Sequence, residues 1–193
     1  PELPIIKVKA VTTRRNPIMQ TCIGPSEEHV SMAGIPTEAS ILAMVDKAMP
    51  GRLQNVYCAS SGVGKYVAVL QFKKSVSSDE GRQRQAALLA FSAFAELKHV
   101  FLVDEDVDCF DMKDVIWAMT TRFQADKDLI IIPGVQCHPL DPSNDPAYNA
   151  ELRGRGIACK AIFDCTVPFD QKDRFERARF MEVDPKHWLP DLF

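Results

Sequence analysis

The chain of 193 residues is 46% hydrophobic and 25% charged, the balance of one globular domain with a substantial core. Its 23 basic and 26 acidic residues leave a formal net charge of -3, which argues against a nucleic acid or an anionic membrane as the main partner. No apolar run approaches the length that crosses a bilayer, and no basic-then-apolar leader opens the sequence. We therefore expect a cytoplasmic protein with no membrane partner.

The N-terminal third predicts one strand, one loop and one helix. Residues 6–11 alternate apolar and polar side chains, which indicates a half-buried strand within residues 4–13. Residues 22–34 are polar, carry glycine and proline and have no clean periodicity, which favours a loop. A helix is then predicted to begin with Thr37 as its N-cap and to end before Pro50.

The middle of the chain predicts strands around one long helix. Residues 53–59 and 66–72 have the pattern of strands, and the flexible turn 60–64 joins them. The longest helix is predicted from Ser78 to about His99, and its broad buried face is expected to consist of Leu88, Leu89, Phe91, Phe94 and Leu97. Residues 100–103 form a short apolar run, typical of a covered strand.

The last third continues the alternation of strands and helices. After the acidic turn 104–108, Asp111 is predicted to cap a helix over residues 112–123. The other predicted elements are strands at 129–132, ended by Pro133 and Gly134, and at 160–166, the fixed loop 138–146 and a charged helix at 170–180. The pattern as a whole predicts an α/β fold in which helices are layered on a mixed β-sheet.

The cysteine pattern favours reduced thiols. No CxxC pair exists, and neither His29 nor His138 has zinc-ligand spacing from a cysteine. The six cysteines are widely spaced, at Cys22, Cys58, Cys109, Cys137, Cys159 and Cys165. We predict free thiols in a reducing compartment and no metal site.

Two apparent motifs fail on inspection. Gly64 and Lys65 resemble the end of a phosphate-binding loop, but Ala59 replaces its first glycine, Tyr66 follows the lysine, and a strand comes next where a helix is needed. On these grounds alone Lys65 is a solvated turn residue. The acidic turn 104–108 lacks the glycine and the glutamate of a calcium loop.

Five stretches in family order resemble the UbiD decarboxylases. They are residues 4–17 (PIIKVKAVTTRRNP), 24–29 (GPSEEH), 103–122 (VDEDVDCFDMKDVIWAMTTR), 132–142 (IPGVQCHPLDP) and 163–169 (FDCTVPF). The resemblance spans nearly the whole chain and is strongest to gallate and protocatechuate decarboxylases. It implies the fold of the UbiD C-terminal oligomerisation domain.

The resemblance also implies a reaction and its cofactors. UbiD members are non-oxidative, reversible carboxy-lyases that use prenylated FMN, made by a partner flavin prenyltransferase, with a divalent metal (Mn or Mg) and K. Their catalytic Glu-Arg-Glu set and their metal ligands lie in an N-terminal flavin-binding domain. Because the chain begins with Pro1 and lacks that domain, we expect residues 1–193 to be a single C-terminal domain of a longer decarboxylase. We expect it to hold no cofactor alone and to contain no catalytic, cofactor-binding or metal-binding residue.

The same resemblance implies four substrate-binding residues. In the family this domain mediates homo-oligomer formation, as a dimer or hexamer, and forms one wall of the substrate pocket. His29, Lys65 and His138 match polar residues of that wall in the branch that acts on phenolic acids, and Leu140 matches a leucine that clamps the substrate. An ammonium or imidazole beside a phenol lowers the free-energy cost of the phenolate, so a small hydroxylated benzoic acid is the expected substrate.

Two hypotheses about function remain open. The chain is either the C-terminal part of a hydroxybenzoate decarboxylase whose activity needs the rest of the protein, or an assembly domain with no turnover of its own. A flavin spectrum of the purified chain separates them. A nucleotide-binding module has only the incomplete phosphate loop in its favour. The choice among hydroxybenzoates and the direction of the reaction stay open.

Overall fold

A mixed β-sheet lies at the centre of the computed structural model, which describes residues 5–24, 26–136, 138, 141–143, 157–178, 181 and 183–189. The strands of the described part are β1 (Leu53–Cys58), β2 (Val67–Phe72), β3 (His99–Val103), β4 (Leu129–Gln136) and β5 (Ile157–Asp164). Their order in the sheet is β1-β2-β3-β5-β4. The three central strands are parallel, and β1 and β4 are antiparallel edges. This confirms the predicted α/β class with a mixed sheet.

Helices cover both faces of the sheet. The α-helices are α1 (Glu27–Ala48), α2 (Arg82–Ala93), α3 (Met112–Arg122), α4 (Ala125–Asp128) and α5 (Pro185–Trp188), and 3-10 helices span Ser60–Gly62, Ser77–Asp79 and Phe169–Phe175. Successive side chains of a strand point to opposite faces. Accordingly Ala68 and Leu70 of β2 pack in the core under α1 and α2, whereas Val69 packs with α3.

The predicted N-terminal strand is absent from the described residues. Residues 5–24 contain no strand, and Ile6, Val8 and Val11 are exposed. Alternating apolar and polar residues form a strand only where a neighbouring strand hydrogen-bonds the backbone groups and the apolar face is buried against a core. Neither β1 nor β4, the two sheet edges, pairs with this segment.

Helix α1 begins eleven residues earlier than predicted. The Ser26 side chain accepts a hydrogen bond from His29 N–H, and Glu27 and Glu28 occupy the first turn, where negative charge is favoured. Pro36 is tolerated inside the helix. Thr37 is a buried interior residue whose hydroxyl donates to Ala33 O over 2.8 Å, so its assignment as an N-cap was wrong.

Helix α2 is shorter than predicted, and its buried face consists mainly of small residues. It ends at Ala93, and Ala86, Ala87 and Ala90 are buried together with Gln83. The small alanine side chains let the helix approach the sheet closely. Leu88 is 47% exposed, and Leu97 is buried beyond the helix. His99 opens β3 and does not end a helix; burial and the neighbouring Lys98 lower the pKa of its imidazole.

Strand boundaries and the C-terminal segment also differ from prediction. β4 continues through Pro133 and Gly134, with an irregular register between Ile132 and Val135. An edge strand tolerates a proline that a central strand would exclude. β5 begins three residues earlier than predicted and ends at Asp164. The helix predicted at 170–180 is a 3-10 helix over Phe169–Phe175.

The described cysteines are free thiols, as predicted. They are Cys22, Cys58, Cys109, Cys159 and Cys165. Burial raises the pKa of Cys58 and of Cys165 to about 12 and that of Cys109 to about 11, so these three thiols stay protonated at neutral pH. Cys137 lies outside the described residues.

Candidate substrate-binding site

The sheet topology brings three connecting segments together at one end of the strands. Lys65 lies two residues before β2, and Glu96 lies between α2 and β3. His138 follows β4, which runs antiparallel to β5. Because β2, β3 and β5 are parallel, the start of each of these strands and the end of β4 lie on the same side of the sheet. Residues that are distant in the sequence therefore meet there.

Lys65, His138 and Glu96 form one polar cluster. Lys65 Nζ lies 3.5 Å from His138 Nε2 and 3.5 Å from Glu96 Oε2. His138 Nε2 lies 3.5 Å from the same carboxylate oxygen. The side chains of Lys65, His138 and Glu96 are 27%, 15% and 34% exposed, respectively. The cluster is thus partly shielded from water and still accessible to a ligand.

Neighbouring contacts hold His138 in place. The ring of Tyr66 meets the His138 ring edge-on, with centroids 5.8 Å apart. Asp141 N–H donates to His138 O over 3.1 Å, and the Asp141 carboxylate pairs with Lys98 Nζ at 2.7 Å. Although burial alone raises the pKa of Asp141, hydrogen bonds from Lys98 and Ser143 hold that pKa below its usual value. Asp141 therefore stays ionised and ties the segment after β4 to the start of β3.

The turn before Lys65 is packed and hydrogen-bonded, although the sequence predicted a flexible turn. Gly62 N–H and Gly64 N–H both donate to Ala59 O, over 2.9 and 3.1 Å. Gly64 has φ +65°, and a Cβ at this position would lie 2.6 Å from Val30 O. The turn therefore presses against α1, and Lys65 projects from a fixed base.

Replacing Gly64 by Ala is expected to destabilise the domain by about 2–3 kcal/mol, through the positive φ and the collision with Val30 O. Gly51→Ala is the matched control, because Gly51 has φ +71° but nothing within 4 Å of an added Cβ. That variant should lose only about 1–2 kcal/mol. Thermal unfolding of both variants measures the difference, and equal losses would show that the turn does not press on the helix.

The other two predicted site residues are placed differently. His29 lies on the first turn of α1, and not in a loop as predicted; a Cβ at Gly24 would lie 2.5 Å from its Nδ1. The next residue, Val30, contacts Gly64, so His29 lies at the same end of the fold as Lys65. Among the described residues no hydrogen bond or ion pair joins His29 to Lys65 or His138. Leu140 lies outside the described residues.

Sequence reasoning missed Glu96. It was assigned to the predicted long helix, where an isolated acidic residue carries no functional signal. Only a correct helix end at Ala93 would have placed it in the short connection before β3, on the same side of the sheet as Lys65. Its partner lysine is 31 positions away in the sequence, beyond any local pattern.

The turn before Lys65 does not fit a phosphate group, and the described residues contain no candidate metal cluster. Among them no group of three or more His, Cys, Asp or Glu side chains is arranged to hold a metal. The turn before Lys65 leads into β2, so it offers no helix N-terminus to a phosphate. Within the same described ranges no helix is both long and apolar enough to cross a membrane.

Comparison with known proteins assigns the family. Residues 30–165 match the 3-octaprenyl-4-hydroxybenzoate carboxy-lyase C-terminal domain, UbiD_C. The chain belongs to this family. It is 62% identical over 184 residues to a gallate decarboxylase of Lactiplantibacillus plantarum, a match that covers 95% of this chain and 38% of that protein. This UbiD C-terminal chain therefore spans well under half the length of that curated relative.

Solved structures share the fold of the UbiD C-terminal chain. The apo 3,4-dihydroxybenzoic acid decarboxylase of Klebsiella pneumoniae (AroY) matches with a TM-score of 0.82 and 56% identity, over 93% of this chain and 37% of that one. HmfF of Pelotomaculum thermopropionicum, a UbiD-class enzyme in complex with FMN, matches with a TM-score of 0.78 and 33% identity, over 91% and 38%. An evolved dimeric form of HmfF, in complex with prFMN, matches with a TM-score of 0.69 and 29% identity, over 91% and 35%.

Proposed function

We propose that this chain is the C-terminal domain of a decarboxylase of hydroxylated benzoic acids, of the gallate or protocatechuate type. The contact between Lys65 and His138 carries the proposal. It brings together two nitrogen-containing side chains that are 73 positions apart in the sequence, at an accessible end of the strands. The domain forms the wall of the substrate pocket that recognises the ring hydroxyl.

The chemistry of the cluster suits a phenol. An ionised hydroxyl makes the substrate ring electron-rich at the carbon that carries the carboxylate. An ammonium group at hydrogen-bond distance stabilises the negative charge on that oxygen, and more so where water is partly excluded. Lys65 supplies this ammonium, and His138 supplies either a second donor or an acceptor for the hydroxyl proton.

The catalytic groups and cofactors are assigned to the remainder of the protein. The FMN and prFMN complexes of HmfF support a flavin cofactor. We assign prenylated FMN, with Mn or Mg and K, to an N-terminal domain, and its supply to a flavin prenyltransferase.

Assembly is the second proposed role of the domain. Met32, Ile35 and Leu42 lie along α1 and are exposed, as is Leu88 on α2. Apolar side chains on exposed helix faces are typical of surfaces that associate. We propose a homo-oligomer, a dimer or a hexamer, in which this domain supplies contacts. The evolved dimeric form of HmfF supports association in this enzyme class.

A direct assay tests the proposal. The full-length protein, supplied with prenylated flavin, is expected to release CO2 from gallate or protocatechuate. The isolated chain, treated in the same way, is expected to show neither flavin absorbance nor turnover, because the proposal assigns the flavin and the catalytic groups to the rest of the protein. Inactivity of the full-length protein on all hydroxybenzoates would contradict the decarboxylase assignment. If the isolated chain shows turnover that persists after repurification, the assignment of the catalytic groups to an N-terminal domain would be contradicted.

A further inference from the structure

We propose that Glu96 is a positioning residue, which holds the Lys65 ammonium and the His138 imidazole side by side for the substrate hydroxyl. The inference rests on the proposed function, because it concerns the same site. No sequence motif includes Glu96, and only its contacts in the folded structure indicate a role.

The geometry shows one atom serving two partners. Glu96 Oε2 lies 3.5 Å from Lys65 Nζ and 3.5 Å from His138 Nε2, and these two nitrogens are 3.5 Å apart. A carboxylate oxygen attracts the ammonium and can accept a hydrogen bond from an imidazole N–H. One carboxylate oxygen close to both nitrogens therefore favours the arrangement in which they lie side by side.

The backbone on both sides of Glu96 is anchored from inside the fold. Lys160, a buried residue of β5, donates through Nζ to Ala95 O over 2.6 Å and to Leu97 O over 2.5 Å. The Lys160 ammonium also lies 5.0 Å from the centroid of the Phe91 ring. A buried lysine that bonds the carbonyls immediately before and after Glu96 sets the position from which its carboxylate reaches out.

The same connection is bonded to the residue that follows Lys65. Lys98 N–H and His99 N–H both donate to Tyr66 O, over 3.0 and 2.8 Å. The backbones that carry Glu96 and Lys65 are thereby fixed to each other. An ordinary surface ion pair joins two flexible side chains and contributes little. This carboxylate is held at its base and contacts two members of the site, which distinguishes it from such a pair.

The test is Glu96→Gln in the full-length protein with prenylated flavin supplied. Gln keeps the size and removes the charge. We expect kcat/KM for gallate or protocatechuate to fall about tenfold, because a small misplacement of recognition groups has a large effect on rate. The melting temperature should stay within about 1 °C, since Glu96 is one-third exposed. Glu105→Gln is the matched control, because Glu105 pairs only with exposed Lys73 among the described residues, at 3.9 Å.

A double-mutant comparison separates positioning from structure. If Glu96 acts through Lys65, then Glu96→Gln lowers the rate far less in a Lys65→Met background than in the wild type. The inference would be overturned if the effects of the two substitutions on the rate were fully additive. It would also be overturned if Glu96→Gln lowered the melting temperature, or if it left the rate unchanged or raised it. If the wild-type protein and the Glu96→Gln variant convert hydroxybenzoates equally well, only this inference is refuted. A wild-type protein inactive on every hydroxybenzoate would refute the proposed function and this inference with it.

Discussion

Replacing Lys65 by Met in the full-length protein is expected to lower decarboxylation of a hydroxybenzoate by about a hundredfold. One well-aimed donor to a developing oxyanion contributes roughly 3 kcal/mol in other enzymes, and about 1.4 kcal/mol corresponds to a factor of ten in rate. Met keeps the aliphatic stem and removes the ammonium that lies 3.5 Å from His138 Nε2. Steady-state rates on gallate and protocatechuate measure the effect.

The stability of the Lys65 variant should change little. Its ion pair with Glu96 is partly exposed, and pairs of this kind contribute about 0–1 kcal/mol. Lys73→Met is the matched control, since Lys73 pairs with Glu105 on the open surface and has no place in the site. A Lys65→Met variant that keeps its full rate on hydroxylated acids would make Lys65 a solvated turn residue, and the pocket assignment would be wrong.

Replacing Arg122 by Met is expected to destabilise the domain by about 3–5 kcal/mol. Its side chain is only 2% exposed, and its guanidinium lies 3.1 Å from Asp104 Oδ2 and 2.5 Å from Asp106 Oδ2. Asp104 is also buried, and this burial raises the pKa of its carboxyl although Val167 N–H and Arg122 favour the ionised form. Removing one partner of a buried pair leaves the other charge uncompensated, which is strongly unfavourable.

Arg177 offers an unusually close control for Arg122. Both guanidinium groups contact Asp106, and both lie over the ring of Trp117, at 5.0 Å for Arg122 and 3.8 Å for Arg177. Arg177 is 34% exposed, so Arg177→Met should lose only about 1 kcal/mol. Thermal unfolding should therefore separate the two variants by several degrees. Equal losses of stability in the two variants would show that burial of the Asp104–Arg122 pair does not increase its contribution to stability.

Elements whose signals are local could be predicted from the amino-acid sequence alone. Strands β1 and β2 and the apolar run of β3 follow from hydrophobic patterning over four to seven residues. Helix α3 begins where Asp111 predicts it, because that side chain accepts a hydrogen bond from Lys113 N–H within the same turn. Five stretches of the sequence resembled the UbiD family, and the match of residues 30–165 to UbiD_C confirmed the family.

Other features depended on tertiary contacts. Alternation at residues 6–11 suggested a strand, but none of the described strands pairs with it. The glycine and proline of residues 22–34 suggested a loop, yet Gly34 is buried in α1, close to Gly64 of the facing turn. Local pattern measures propensity, whereas packing against a distant segment supplies most of the stabilisation of a helix or strand.

The arrangement of the candidate site depends on the tertiary structure. The sequence, through resemblance, selected Lys65 and His138 but offered no reason for them to meet. They meet because parallel β2 and β3 start, and antiparallel β4 ends, on one side of the sheet. Glu96 joins them because Lys160 fixes the carbonyls on either side of it. Such contacts between residues far apart in the chain have no periodicity or spacing, so only the folded structure reveals them.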